Sequence, residues 1–531
     1  MDTKALRQKI LDLAIRGKLV PQDPNDEPAS VLLEKIREEK QQMVKEGKLK
    51  AKDIKNDTVI FKGEDNLHYE KFQAGTVKCI EDEVPFEVPE GWEWCRLDSI
   101  ATFELGKTLD SVKNKGSYHP YLRSINVRWN GIDLSDTNQM RFEDTELERY
   151  AIKKGDLLIC EGGDVGRSCV WENNQEMYYQ NALHRVRFYG GINPYFYMYM
   201  MMFYAFTGKL QEICKGVTIK HLTRTTLQSL LFPIPPLDEC NRITEAIITI
   251  DRQINALEDE KASISALAEN VKSKILDLAI RGKLVPQDAN NEPASVLLER
   301  IRAEKTELIK QGRLKRDKKE SIIYKGDDNS YYEKLTDRTV MNIDDELPFE
   351  IPYTWCWSRL SSLCIKEIKR GKAPKYVDKS NTLVFAQKCN LKKGDIDYTL
   401  SQYLDETTIS RYDDSEYLQK HDTVINSTGT GTLGRVGFID SLAEYPIVPD
   451  SHVTTIRVSS EINQFYVFVL LKSLQSVLEK SGEGSTNQKE LKPNTLQDIL
   501  VPIPPMEEQK KICNAVHNSY NLIKNIEDSI N

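Results

Sequence analysis

A chain of 531 residues is too long for one hydrophobic core, so several domains are expected. The formal net charge of −8 counts against a general nucleic-acid coat, so a DNA reader would need local basic surfaces. Ten cysteines without a C-x-x-C pair and seven histidines without i, i+4 spacing read as reduced thiols of a cytoplasmic protein, and argue against a disulfide frame or a metal centre.

The opening "MDTKALRQKI" lacks the apolar core of a signal peptide. Next comes "ILDLAIRGKLVPQD" (10–23), which recurs unchanged at 275–288. Extended to Lys40 and Lys305, the match covers 31 positions and differs at four. A short helix is predicted from Pro28 to Glu46, stopped by Gly47, with a twin from Pro293 to Gly312. Its exposed face is a candidate for a partner subunit. "KGEDNLHYEKF" (62–72) and "VPFEVPEGWEWCRL" (84–97) return as "KGDDNSYYEKL" (325–335) and "LPFEIPYTWCWSRL" (347–360). After two divergent stretches, roughly 98–225 and 361–494, "TLQSLLFPIPPLDECNRI" (226–243) returns as "TLQDILVPIPPMEEQKKI" (495–512). The chain therefore has a repeated frame and two variable inserts. Each insert alternates short strands with glycine turns and then a helix, which predicts a mixed α/β domain. The apolar run "YFYMYMMMFYAF" is 12 residues long, short of the ~20 that a membrane helix needs.

The helix after the first "PIPP" carries apolar residues at Ile243, Ile247, Ile250, Ile254, Leu257, Ile264, Ala268, Val271, Ile275 and Leu278. Steps of four and three, broken only at Lys261, predict a coiled-coil rod on the order of 50 Å long. The C-terminus supplies Ile512, Val516, Ile523 and Ile526 at matching positions, and the N-terminus supplies Leu6, Ile10 and Leu13. Tail and head together rebuild a second copy of the rod. Connectivity makes the rods antiparallel, with the inserts at opposite ends about a pseudo-twofold axis. The repeat is a spacer.

No catalytic centre emerges. "GTGTLG" (429–434) fits a dinucleotide fingerprint, but "RVGFID" follows as an alternating strand, so a glycine-rich hairpin is expected. "NPYF" (193–196) lacks the second proline of a methyltransferase motif; Asn193 as helix cap with Pro194 at the first helical position accounts for it. His421 and Asp422 have no serine or cysteine elbow nearby, and no nuclease carboxylate cluster is recognisable.

The two inserts, bracketed by "VPFEVPEGWEWCRL"-like entries and "PIPPLDE/PIPPMEEQ"-like exits, resemble the DNA-specificity subunit of type I restriction-modification systems. The resemblance covers the whole chain, and departs at Cys240, where the pattern has the glutamine kept at Gln509. It implies an α+β multidomain architecture: two mixed α/β target recognition domains separated by a long antiparallel coiled coil. The boundaries are an N-terminal helical repeat (1–84), the first recognition domain (85–236), a central helix and helical repeat (237–346), the second recognition domain (347–505) and a C-terminal helix (506–531). It further implies double-stranded DNA, adenine methyltransferase subunits and restriction/translocase subunits as partners. S-adenosylmethionine, ATP and Mg would then belong to those partners, and this chain would be non-catalytic. The competing reading is a coiled-coil protein-interaction scaffold that binds no DNA.

A DNA reader needs cations for phosphates and Asn, Gln, Arg, Ser or Thr for base edges. In the first insert the candidates are Lys107, Thr108, Arg123, Asn126, Arg128, Arg167, Asn181, His184 and Arg185, with Lys215, Thr218, Lys220, His221 and Arg224 in a basic loop. In the second they are Lys369, Arg370, Lys372, Lys375, Gln387, Lys388, Asn390, Asn426, Thr428, Arg435, Ser451 and His452. The loop "GEGSTNQK" adds Ser485, Thr486, Asn487, Gln488 and Lys489.

Overall fold

The computed structural model describes residues 2–110, 112–214, 221–316, 320–392, 394–429, 431–483 and 489–530. The chain divides into two compact units, Met1–Glu260 and Lys261–Asn531. Each unit joins one set of framing elements to one variable insert.

In the first unit the N-terminal helix (Thr3–Ile15) is capped by Asp2, whose carboxylate accepts from Ala5 N at 3.0 Å. Gly17 ends it at φ +65°, where a Cβ would lie 2.5 Å from Pro89 Cγ, so only glycine fits. A second helix (Ala29–Lys45) follows Pro28 and turns Ala29, Leu32 and Ile36 inward. After it comes a three-stranded antiparallel sheet (Thr58–Lys62, His68–Phe72, Val77–Cys79). The repeated entry and exit blocks then explain each other. Strand Glu93–Arg96 pairs antiparallel with Leu231–Ile234, with Trp94 opposite Pro233. The insert is a long excursion from this two-stranded clasp, whose prolines are tolerated because both strands are edges.

The first insert builds a four-stranded antiparallel sheet, in the order Ser168–Val170, Leu157–Cys160, Leu183–Phe188, Ala101–Leu105. The run "YFYMYMMMFYAF" belongs to helix Pro194–Phe206, which is buried on nearly every side between the N-terminal helix and strand Ser168–Val170. A helix apolar all round is a core helix. Asn193 caps it, accepting from Tyr195 N at 3.1 Å, with Pro194 in the first turn. Among the described residues, no helix is long and apolar enough to cross a membrane.

The second unit repeats the clasp: Cys356–Arg359 pairs antiparallel with Leu500–Ile503, and Trp357 faces Pro502. Its insert places Thr423–Asn426 between Val436–Phe438 and Val453–Ile456. A second sheet runs Tyr376–Val377, Gln402–Leu404, Leu383–Phe385, Ile447–Pro449. Helix Gln464–Ser473 begins at Asn463, whose side chain accepts from Phe465 N at 3.1 Å. Gly429, Gly431 and Gly434 all have positive φ and lie between two antiparallel strands, as the expected glycine-rich hairpin requires.

The central helix runs from Leu237 to Ile280, 44 residues, and Gly282 stops it at φ +67°. In the first unit the N-terminal helix lies along its opening half. Arg7 donates to Asn255 at 2.8 Å and to Glu258 at 3.1 Å, and Arg242 reaches back to Asp26 at 2.6 Å. The numbers rise on one side as they fall on the other, so the two segments are antiparallel. Ile10 and Leu11 share a core with Ile243, Ile247 and Ile254. In the second unit the C-terminal helix (Met506–Ile530) lies antiparallel along the closing half: Lys272 meets Glu527 at 3.1 Å, and Gln287 meets Glu508 at 2.5 Å. Leu276 and Ala279 pack with Ile512 and Val516. The heptad seam is not enclosed along its whole length. Leu257, Ile264 and Val271 are 47%, 37% and 40% exposed, because each terminal helix is short and covers one end only.

Candidate nucleic-acid interface

One end of the first sheet gathers the basic segments. Gly106 meets the backbone of the segment after Tyr178–Tyr179 so closely that a Cβ would sit 2.3 Å from Gln180 O. Gly106 N donates to Leu183 O, and Asn181 N to Lys107 O, each at 3.0 Å. Leu222 N then donates to Glu161 O at 2.8 Å, drawing in the segment that begins at His221. Arg167 donates to Ser124 O at 2.9 Å and ties the glycine hairpin to the segment carrying Arg123 and Asn126. "LGKT", "LRSIN", "GGDVGR", "QNALH" and "HLTR" therefore lie side by side.

The second insert builds the same convergence from other residues. A Cβ on Gly371 would lie 2.1 Å from Pro449 O, and Gly371 N donates to Val453 O at 2.9 Å. Ser427 N donates to His452 O and Leu491 N to Ser427 O, both at 2.8 Å. Thr428 Oγ1 lies 2.6 Å from His452 Nδ1, and Thr432 Oγ1 donates to Gln387 Oε1 at 2.9 Å. "KRGK", "FAQKCN", "NSTG" (426–429), "DSH" and residues 489–491 come together.

Several candidates turn inward and are corrected. Lys107 is 5% exposed; it is ion-paired with Glu146 and its ammonium lies 5.4 Å from the centre of the Phe142 ring. Asn126, 1% exposed, accepts from Arg123 N at 2.8 Å and donates to Asp133 O and Asp136 O. It organises a turn, and no base edge can reach it. His184 is fully buried against Leu222 O at 2.8 Å, and burial holds its pKa below the usual imidazole value. Arg185 donates to Arg149 O and Ala151 O. Asn390 and Asn426 form a buried amide pair under the second loop cluster, 3.3 Å apart, with Asn426 also donating to Gln387 O. Buried polar groups with internal partners are structural.

Other candidates are half-buried and engaged. Arg123 pairs with Asp136 at 2.8 Å, Arg370 with Glu490 at 2.7 Å, Lys372 with Glu416, and Arg435 donates to Gly431 O at 2.9 Å. Asn181, Gln387 and Thr428 are also half-buried. Thr108, Arg128, His221, Arg224, Lys369, Lys375, Lys388, His452 and Lys489 are exposed. Lys215, Thr218, Lys220, Ser485, Thr486, Asn487 and Gln488 lie outside the described residues.

Sequence reasoning missed the charge network of the frame, which both units repeat. Arg96 bonds Glu70 and Glu83, at 2.8 and 2.7 Å, and Arg359 bonds Glu333 and Glu346, at 2.6 and 2.7 Å. Burial pushes the Glu70 and Glu333 carboxyls up, but the arginines and a hydroxyl outweigh it, and both end below the usual range. Trp92 donates to Glu239 at 3.0 Å, and Trp355 to Glu508 at 3.1 Å. Inside the inserts, Arg187 grips Asp156 and Arg457 grips Asp422, each through two bonds of 2.6–2.7 Å. The signal was present: these acids and bases recur at the same places in both copies.

The arrangement offers loop-borne cations and polar groups on a rigid scaffold, twice over, and no metal-ligand cluster among the described residues. The family model described as "Type I restriction modification DNA specificity domain" matches residues 89–266 and 366–531. The EcoEI specificity subunit of an Escherichia coli type I restriction enzyme is 26% identical over 97% of this chain and 89% of its own length. The EcoAI specificity subunit, also from Escherichia coli, is 28% identical over 68% of this chain and 62% of its own length. A chain solved in work on complex assembly and conformational transition of the type I R-M system shares the fold, with TM-score 0.53 at 16% identity, over 84% of this chain and 94% of that one. With more than half its length matched, in two blocks that each span an insert and the helix after it, this chain belongs to the type I restriction-modification DNA-specificity family.

Proposed function

We propose that this chain is the sequence-reading subunit of a type I restriction-modification complex, each insert reading one half of a bipartite, asymmetric DNA site. The observation that carries this is the contrast between frame and loop ends. The frame repeats its central contacts, as in Glu70–Arg96–Glu83 and Glu333–Arg359–Glu346. At the equivalent loop ends the side chains differ, with Thr108, Arg128 and His221 exposed in one insert and Lys388, His452 and Lys489 in the other. Two unlike readers on like mounts suit two unlike half-sites.

The continuous central helix, antiparallel to both terminal helices, acts as the spacer of a pseudo-twofold pair. It fixes the distance between half-sites. The framing helices dock methyltransferase and restriction subunits, which bring S-adenosylmethionine, ATP and Mg; this chain contributes recognition and no bond-breaking step. The test is an insert exchange followed by genome-wide mapping of modified adenines. Replacing residues 98–225 alone changes one half of the motif and leaves the other half and the spacer as they were. A motif that changes in both halves, or in neither, overturns the assignment.

A further inference from the structure

The second insert holds an open cleft of about 260 Å³. Its lining includes Lys366, Lys369, Arg370, Lys372, Glu416 and Thr455, four cations against one carboxylate. The cations are not all neutralised. Lys372 and Lys369 share Glu416, the latter at 3.7 Å, Lys369 also has Glu367 at 3.5 Å, and Arg370 has Glu490 at 2.7 Å. Lys366 is half-buried and makes no hydrogen bond or ion pair within the described residues. An unpaired, desolvated ammonium is unfavourable and persists where something outside the fold completes it.

The sequence places these cations in one stretch. Between the shared Arg-Leu and the close-approach glycine, the first insert has "DSIATFEL" (98–105), without a single cation. The second has "SSLCIKEIKR" (361–370), two residues longer and with three. The cleft also adjoins the loop cluster described above. Arg370 bridges to Thr454, and its partner Glu490 bridges to Thr428, which touches His452. The enclosed part is no larger than a water molecule, so it suits one oxygen of an oxyanion presented from outside and is too small for a whole nucleotide.

We infer that Lys366, Lys369 and Arg370 form an oxyanion seat that takes one phosphodiester of the DNA backbone beside the loops of the second domain; this rests on the DNA-reading assignment above. Such a contact holds register without reading sequence. Burial and the neighbouring Arg457 and Lys369 pull Lys366 down to about 8, against the opposing pull of Asp422 and Glu416. Lys366 is therefore charged at pH 7 and gives up its own charge as pH rises through about 8.

The test uses the assembled complex with its methyltransferase partner, titrating DNA against salt for wild type, Lys366→Met, Lys369→Ala and Lys366→Arg. Lys366→Met keeps the aliphatic stem and lowers affinity about tenfold for matched and unmatched duplexes alike. The slope of log K against log salt falls by about 0.9, as for one lost phosphate contact. Lys366→Arg restores both, and the gap between wild type and Lys366→Met narrows from pH 7 to pH 9. Wild-type affinity and slope in Lys366→Met and Lys369→Ala, with wild type itself binding DNA, overturn the seat alone. No DNA binding by wild type at any salt overturns the assignment beneath it. Inorganic phosphate is titrated in parallel by thermal shift: tight binding that Lys366→Met abolishes, with the DNA slope unchanged, makes this a free-anion site and also overturns the inference.

Discussion

Asn126 shows how residue type misleads when direction is unknown. Asparagine between two arginines is what a base-reading loop would carry, yet its amide faces inward and joins Arg123 N to two carbonyls. Asn126→Ala should destabilise the first unit by ~2–4 kcal/mol, through lost buried hydrogen bonds, and leave the recognised motif intact. Thermal unfolding and a modification map check the two halves of that statement. Lys366 is the converse: sequence reasoning picked its neighbours Lys369, Arg370 and Lys372 and passed over this half-buried lysine. Between about pH 8 and 10.5 the unfolded chain binds a proton at Lys366 that the folded chain does not, so stability rises with pH across that window. Lys366→Met should therefore be more stable than wild type at pH 7, by on the order of 2–3 kcal/mol, and the gain should vanish near pH 10.5. Denaturant melts at both pH values measure it. What sequence could supply at this scale was the composition of each loop; which side chain points out depends on neighbours from distant strands.

At the scale of elements, periodicity was a reliable guide. The cap at Asn193 and the helix stops at Gly47 and Gly282 appear where local chemistry places them. The seam of the central helix was legible as a period but not as a degree of enclosure. Leu257, Ile264 and Val271 fit the heptads and are exposed, since burial needs a partner helix of sufficient length. The clasp of entry and exit strands was not legible, because the register of Trp94 with Pro233 joins residues far apart in sequence. Ile512, fully buried where the C-terminal helix meets the central one, gives the sharpest test of that pairing. Ile512→Ala should cost ~2–5 kcal/mol, as large-to-small changes in cores do. The loss belongs to the second unit, so proteolysis or hydrogen exchange should show 261–531 opening earlier while the first unit keeps its protection. The Arg7 pairs on the other half are partly exposed, and Arg7→Ala should shift stability by less than ~1 kcal/mol.

At the scale of the whole molecule, duplication was the most informative feature. One chain contains two versions of the same frame, and residues kept in both mark what the frame needs: the Trp92–Glu239 and Trp355–Glu508 bonds, and the two arginine-centred acid networks. The acidic net charge is carried by that frame and does not conflict with basic loop ends, since a DNA reader needs cations only where phosphates pass. The claim that joins these parts is that the central helix sets the spacing of the half-sites. Seven residues inserted after Glu260 keep both terminal pairings in register and lengthen the helix by ~10 Å. The direct measurement is a genome-wide map of modified sites in cells carrying this insertion with the methyltransferase partner. The account predicts the same two half-sites with a spacer about 3 base pairs longer, at reduced affinity, because the longer spacer turns one half-site about the DNA axis. An unchanged spacer with full activity, or an altered half-site sequence, would contradict it.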